Sequence, residues 1–94
     1  MLALVVQISF AQNKNVSGTV SDDNGLPLPG ATVVIKGTST GVSTDFDGNY
    51  SITASVGDVL VFSYVGYSNQ SITVGASNTV NASMVPDNAL EEVI

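Results

Sequence analysis

The sequence predicts an all-β fold: seven short strands, antiparallel or mixed, packed as a two-layer sandwich. Three observations carry this. From Asn15 onward, β-prone runs alternate with Gly, Pro, Asn and Asp punctuation, at intervals of about 8 to 12 residues, the spacing of sandwiches and small barrels. Within the runs apolar residues recur at every second position, so each strand can turn one face to a core and the other to water. No stretch carries helical period. The chain of 94 residues has room for one small domain.

The first strand is expected at Val16–Ser21, with Val16, Gly18 and Val20 on one face. Asp22-Asp23-Asn24-Gly25 ends it, because Asn and Gly tolerate positive φ. Pro27 and Pro29 then keep the next segment out of a central ladder, since neither has an N–H to donate. A second strand follows at Ala31–Lys36, with Ala31, Val33 and Ile35 in phase, and a third at Val42–Asp45. Asp47-Gly48-Asn49 is a hairpin signal leading to a fourth strand at Tyr50–Ala54, where Tyr50, Ile52 and Ala54 alternate. Gly57-Asp58 marks a corner before the fifth strand, Val59–Val65, which is apolar on both faces and is therefore expected to be the most buried. Gly66-Tyr67 marks another corner. The sixth strand is expected at Gln70–Val74 and the seventh at Thr79–Val85, with Pro86 as its stop.

The two ends differ from this middle. Residues 1–11 are apolar and finish on Ser9-Phe10-Ala11, small residues in the spacing of a signal-peptidase cut before Gln12. This predicts an export leader whose basic n-region lies upstream; the alternative is a first strand over Leu2–Phe10. The run is too short for a bilayer, which takes about 20 apolar residues. Residues 12–86 form the expected sandwich. Residues 87–94 are an acidic, then apolar tail. With Leu90, Val93 and Ile94 as anchors, such a strip can add as a strand to a partner's sheet edge, its Glu91 and Glu92 favouring a basic surface. A plain linker to a following domain fits the same residues.

Composition narrows the function. Two Lys and no Arg against eight acids give a net charge of -6, and phosphate backbones are bound by basic groups through counterion release. Nucleic acid is therefore not an expected partner. Cys and His are both absent, which removes the thiol nucleophile, the imidazole base, the commonest zinc ligands and any disulfide. With no His, no serine stands out as activated. An enzyme is not expected, nor a cofactor, and no catalytic or metal residues are assigned.

Two weaker constellations remain. Asp45-Phe46-Asp47-Gly48 resembles the start of a calcium loop, but the glycine arrives two residues early and the twelfth position is Val56 instead of a bidentate Glu. A hairpin whose Asp side chains accept backbone amides explains the same residues, and Asp22-Asp23-Asn24 reads likewise. Tyr50, Tyr64, Tyr67, Phe46 and Phe62 would suit an aromatic platform for sugars, although at strand spacing they also suit core and cross-strand positions.

Four blocks, taken together, resemble a known family: Val16-Ser17-Gly18-Thr19-Val20-Ser21-Asp22; Gly25-Leu26-Pro27-Leu28-Pro29-Gly30-Ala31-Thr32-Val33-Val34-Ile35-Lys36-Gly37-Thr38 with Gly41; Thr44-Asp45-Phe46-Asp47-Gly48-Asn49-Tyr50; and Phe62-Ser63-Tyr64-Val65-Gly66-Tyr67. In order and spacing they are similar to the carboxypeptidase-regulatory-like domain. The likeness is to the version at the N-terminus of SusC-like TonB-dependent outer-membrane transporters of Bacteroidetes, over Val16–Ile94. The resemblance implies a prealbumin-like (Ig-like) Greek-key sandwich, preceded by a signal peptide and followed by a TonB box, a plug and a transmembrane barrel. It implies that Leu90, Glu91, Glu92, Val93 and Ile94 open the TonB box. The implied partners are then TonB, through this tail, and the plug and barrel of the same receptor. The implied place is the periplasmic face of the bacterial outer membrane, and the role a non-catalytic module in nutrient (glycan) uptake. The carboxypeptidase name carries no peptidase activity, because in metallocarboxypeptidases the related domain is an accessory to a separate zinc-bearing one. The alternative function is a stand-alone secreted or surface sandwich with a structural, adhesive or carbohydrate-binding role.

Overall fold

A computed structural model describes residues 13–87. The described residues form seven strands and no helix: β1 (Lys14–Asp22), β2 (Thr32–Ile35), β3 (Gly41–Ser43), β4 (Asn49–Ala54), β5 (Val59–Ser63), β6 (Gln70–Thr73) and β7 (Ala82–Met84). Each falls on an expected strand. They build two sheets, one of three strands in the order β4-β1-β7 and one of four in the order β3-β2-β5-β6. All pairings are antiparallel except that of β1 with β7, which is parallel with Val20 opposite Ala82 and Asp22 opposite Met84. The sandwich is thus mixed, one of the two arrangements the sequence allows.

The period-two residues supply the core between the sheets. Val16 and Val20 of β1, Tyr50, Ile52 and Ala54 of β4, and Ala82 and Met84 of β7 face Val33 and Ile35 of β2 and Leu60 and Phe62 of β5. Tyr50 and Phe62 meet edge to face with ring centroids 5.6 Å apart, an arrangement that aligns the positive edge of one ring with the negative face of the other. Leu28, Ala31, Val74 and Val80 seal the core from the loops.

Three expectations need correction. The fifth strand stops at Ser63, and Val65 is an exposed turn residue. Within that shorter span β5 is the most covered strand, as expected: Leu60 and Phe62 are buried, Val59, Val61 and Ser63 are half-covered, and every other described strand has at least one exposed residue. The seventh strand is shorter than expected, with Thr79 making one isolated bridge to Ser17 before regular pairing begins at Ala82. Finally, the Asp47-Gly48 turn has hairpin bonding, yet the strands it joins separate into different sheets.

The break between Thr79 and Ala82 has a local cause. Register is the same on both sides of it, Ser17 opposite Thr79 and Val20 opposite Ala82, but in between the Val80 carbonyl is turned inward against Gly18. A Cβ on Gly18 would overlap that oxygen outright. Every group left over finds a partner: the Thr19 amide donates to Asn81 Oδ1 at 2.9 Å and the Tyr50 hydroxyl donates to the Val80 carbonyl at 2.6 Å. Such accounting is what a buried backbone requires.

Strand directions gather the loops into two sets. The loops 23–31, 44–48 and 64–69 lie at the end of the sandwich where β1 and β7 finish, as the registers Asp22 with Met84, Thr19 with Asn49, and Thr32 with both Ser43 and Ser63 require. The start of β1 and the loops 36–40, 55–58 and 74–81 lie at the other end; there the Lys14 ammonium donates to the carbonyl of Gly75 at 2.7 Å.

Candidate functional site

The tail residues assigned from the sequence, Leu90, Glu91, Glu92, Val93 and Ile94, lie outside the described residues, as does the leader 1–11. What is described is the point from which the tail departs. Gly66 takes φ of 85°, closing a turn in which the Tyr67 amide donates to the Tyr64 carbonyl at 3.0 Å. The corner so formed grips the residues after β7: the Ser68 amide donates to the Val85 carbonyl and the Asp87 amide to the Gly66 carbonyl, both at 2.9 Å, with Tyr67 and Pro86 in an antiparallel bridge. Pro86 has no N–H to offer, so the bridge uses its neighbours' groups. Asp87, the last described residue, is therefore pinned to this corner. From the sequence, Gly66-Tyr67 is visible only as a corner. Nothing local marks its pairing with a segment 20 residues on.

The loops beside this exit are built alike. In Asp22–Leu26 and again in Asp45–Asn49, the first carbonyl accepts from the amide of the glycine three residues on, Gly25 at 3.0 Å and Gly48 at 2.9 Å. Each glycine has positive φ, the geometry of a type I turn closed by a bulge. The leading Asp completes the loop. Asp22 Oδ1 accepts from the amides of Asn24 and Leu26 at 2.8 and 2.9 Å, and Asp45 Oδ1 from those of Asp47 and Asn49, both at 2.9 Å. These carboxylates are engaged by backbone donors, which is the hairpin reading of the calcium-like motif. Among the described residues, no three metal-ligating side chains gather as a candidate ion site.

Thr44 joins the two loops to the core. Buried, it accepts from the Ala31 amide at 2.9 Å and donates to the Leu28 carbonyl at 2.6 Å through Oγ1, while its own N–H and carbonyl bond Ala31 and Gly30. One side chain thus fixes the Pro27–Ala31 crossover between sheets.

The aromatic residues do not form one platform. Tyr50 and Phe62 are core, Tyr64 and Tyr67 pair with centroids 5.6 Å apart at the exit corner, and Phe46 projects alone from its loop with 89% of its surface exposed. No helix among the described residues is long and apolar enough to cross a membrane.

Known proteins fit this architecture. In solved structures, a chain of the type II cohesin–X–dockerin complex from Acetivibrio cellulolyticus (an N-terminal interface mutant) superposes with a TM-score of 0.63 at 21% identity, covering 79% of this chain and 58% of that one. This likeness shows the sandwich fold alone. Sequence relatives say more. TonB-dependent receptor P26 of Formosa agariphila is 54% identical over 79 residues, 84% of this chain and 8% of the receptor. TonB-dependent receptor SusC of Bacteroides thetaiotaomicron is 49% identical over 72 residues, 77% of this chain and 7% of the receptor. The chain thus spans about a tenth or less of the length of the curated receptors it matches. The family model for the CarboxypepD_reg-like domain matches residues 16–94, from the first core residue of β1 to the last residue of the chain, and with seven strands in two sheets over the same stretch, the chain belongs to the CarboxypepD_reg-like domain family.

Proposed function

We propose that this chain is the N-terminal, periplasmic module of a SusC-like TonB-dependent receptor for nutrient uptake, exported by the leader 1–11, folded over 12–86 and continued by a TonB-box tail at 87–94. The observation that carries the reading is the 40 to 54% identity to TonB-dependent receptors over 77 to 99% of the chain. The exit corner supports it, because it pins Asp87, the residue that precedes 88–94 in the chain, at one end of the sandwich. In this reading the tail adds as a strand to TonB, with Leu90, Val93 and Ile94 in pockets and Glu91 and Glu92 steering a basic surface. The domain is non-catalytic, and the plug and barrel of the same receptor carry substrate choice.

The test is a titration of the 94-residue chain with the periplasmic C-terminal domain of TonB from Formosa agariphila. Binding is expected, and Leu90→Pro should abolish it by removing a donor from the added strand. Equal binding by the wild type and Leu90→Pro, or none by either, overturns the tail's role.

A further inference from the structure

Four of the five large apolar residues exposed among the described residues sit at the exit end: Leu26, Phe46, Val65 and Val85, against Val56 alone at the opposite end. They come from three loops and the end of β7, yet they are linked. A Cβ on Gly48, in the Phe46 loop, would run into Pro27 and the Leu28 amide, beside Leu26, so the two loops approach closely. Leu26 closes onto Asp22, whose partner in the parallel pair is Met84, next to Val85. Val85 is bonded to Ser68, in the Val65 corner. Phe46 and Val65 are 89% and 91% exposed, so folding gains nothing from either.

Charge is polarised along the same axis. Both lysines, Lys14 and Lys36, lie at the far end, whereas Asp22, Asp23, Asp45, Asp47 and Asp87 lie at the exit end with only Asp58 opposite. An apolar end that also carries five aspartates disfavours a second copy of itself, because like charges would meet. It equally disfavours its own tail, which brings Glu91 and Glu92. A surface that offers apolar groups beside basic ones satisfies both features, and Asp87, the residue before the tail, is pinned at this end.

We propose that the exit end, through Leu26, Phe46, Val65 and Val85, is a second docking surface for the basic protein partner that takes the tail. This rests on the tail reading above, which names that partner as TonB. The domain then acts as more than a spacer: it adds contact area and selects among partners that accept similar tails, since linking two contacts raises affinity without new chemistry in either.

The probe is again the C-terminal domain of TonB from Formosa agariphila, titrated into the 94-residue chain and its variants. The double variant Phe46→Ser/Val65→Ser alters only exposed side chains. It should weaken binding about tenfold or more, the range of apolar interface anchors. Val56→Ser, at the far end, should leave affinity unchanged, and raising salt should weaken the wild type. Loss in the double variant with Leu90→Pro binding as wild type upholds the end contact and sinks the tail. Wild-type affinity in the double variant, an equal loss in Val56→Ser, or no binding by the wild type overturns the second surface.

Discussion

The Tyr50 hydroxyl donates to the Val80 carbonyl at 2.6 Å over the face of Gly18, closing the one stretch where β1 and the chain entering β7 do not pair backbone to backbone. The phenol is buried against Phe62, so the bond lies where an unmet carbonyl is costly.

Tyr50→Phe should cost about 1 to 3 kcal/mol, the penalty of leaving a buried acceptor without its donor. Urea denaturation at neutral pH measures it.

The same residue gives stability a pH dependence. Burial pushes the Tyr50 phenol up from its ordinary 10 to about 12. The folded state therefore keeps its proton where the unfolded state loses it, and stability, full below pH 10, falls as pH rises toward 12. Tyr50→Phe should lack this component. Unfolding curves of both proteins at pH 9 and pH 12 should converge if the assignment holds; parallel losses would refute it.

Gly18→Ala should destabilise by about 3 kcal/mol or more, because the overlap is with backbone and no rotamer relieves it. Gly75→Ala, where a Cβ would meet nothing within 4 Å, should stay within about 0.5 kcal/mol. Comparing their denaturation midpoints separates close approach from the general entropy of glycine.

Thr44→Val keeps the shape and removes the hydroxyl, leaving the Ala31 amide and the Leu28 carbonyl without that partner. A loss of about 2 to 4 kcal/mol is expected, with hydrogen exchange accelerated first at Ala31. Thr44→Ser should recover most of it.

Asp45→Ala removes two amide acceptor contacts from an exposed loop and should cost about 0.5 to 1.5 kcal/mol. Millimolar calcium should leave the wild-type Tm where it was. A rise would mean that the ion binds the native state and that the carboxylates do more than close their loops.

Much of this was legible in the chain itself. Period-two residues such as Tyr50, Ile52 and Ala54 turn inward as expected, and the Asp and Gly positions of both loops foretell their bonding, because turn chemistry is local. Features set by distant partners were not. Gly18 looks like an ordinary inward position beside Val16 and Val20, since its reason, the Val80 carbonyl, comes from far along the chain. Val65 reads as a strand residue because its neighbours are apolar, whereas the positive φ of Gly66 ends the ladder first. The segregation of Asp from Lys follows from which strand ends coincide, and β3 and β4 part into different sheets in a way no local pattern records. As for the tail, its residues were named by resemblance, and the corner that holds Asp87 before it was not visible.

The parallel pairing of β1 with β7 places the two ends of the folded unit at opposite poles. A pull between residues 13 and 87 would therefore run lengthwise along both strands. The bonds spanning Ser17 to Asp22 and Asn78 to Met84 would be strained together in shear, instead of parting one after another as in an unzipped hairpin. Resistance would be set by the rate of barrier crossing more than by equilibrium stability. A domain clamped at its first strand and tugged by its tail would thus behave as a stiff tether, and one free at its first strand would ride along undeformed.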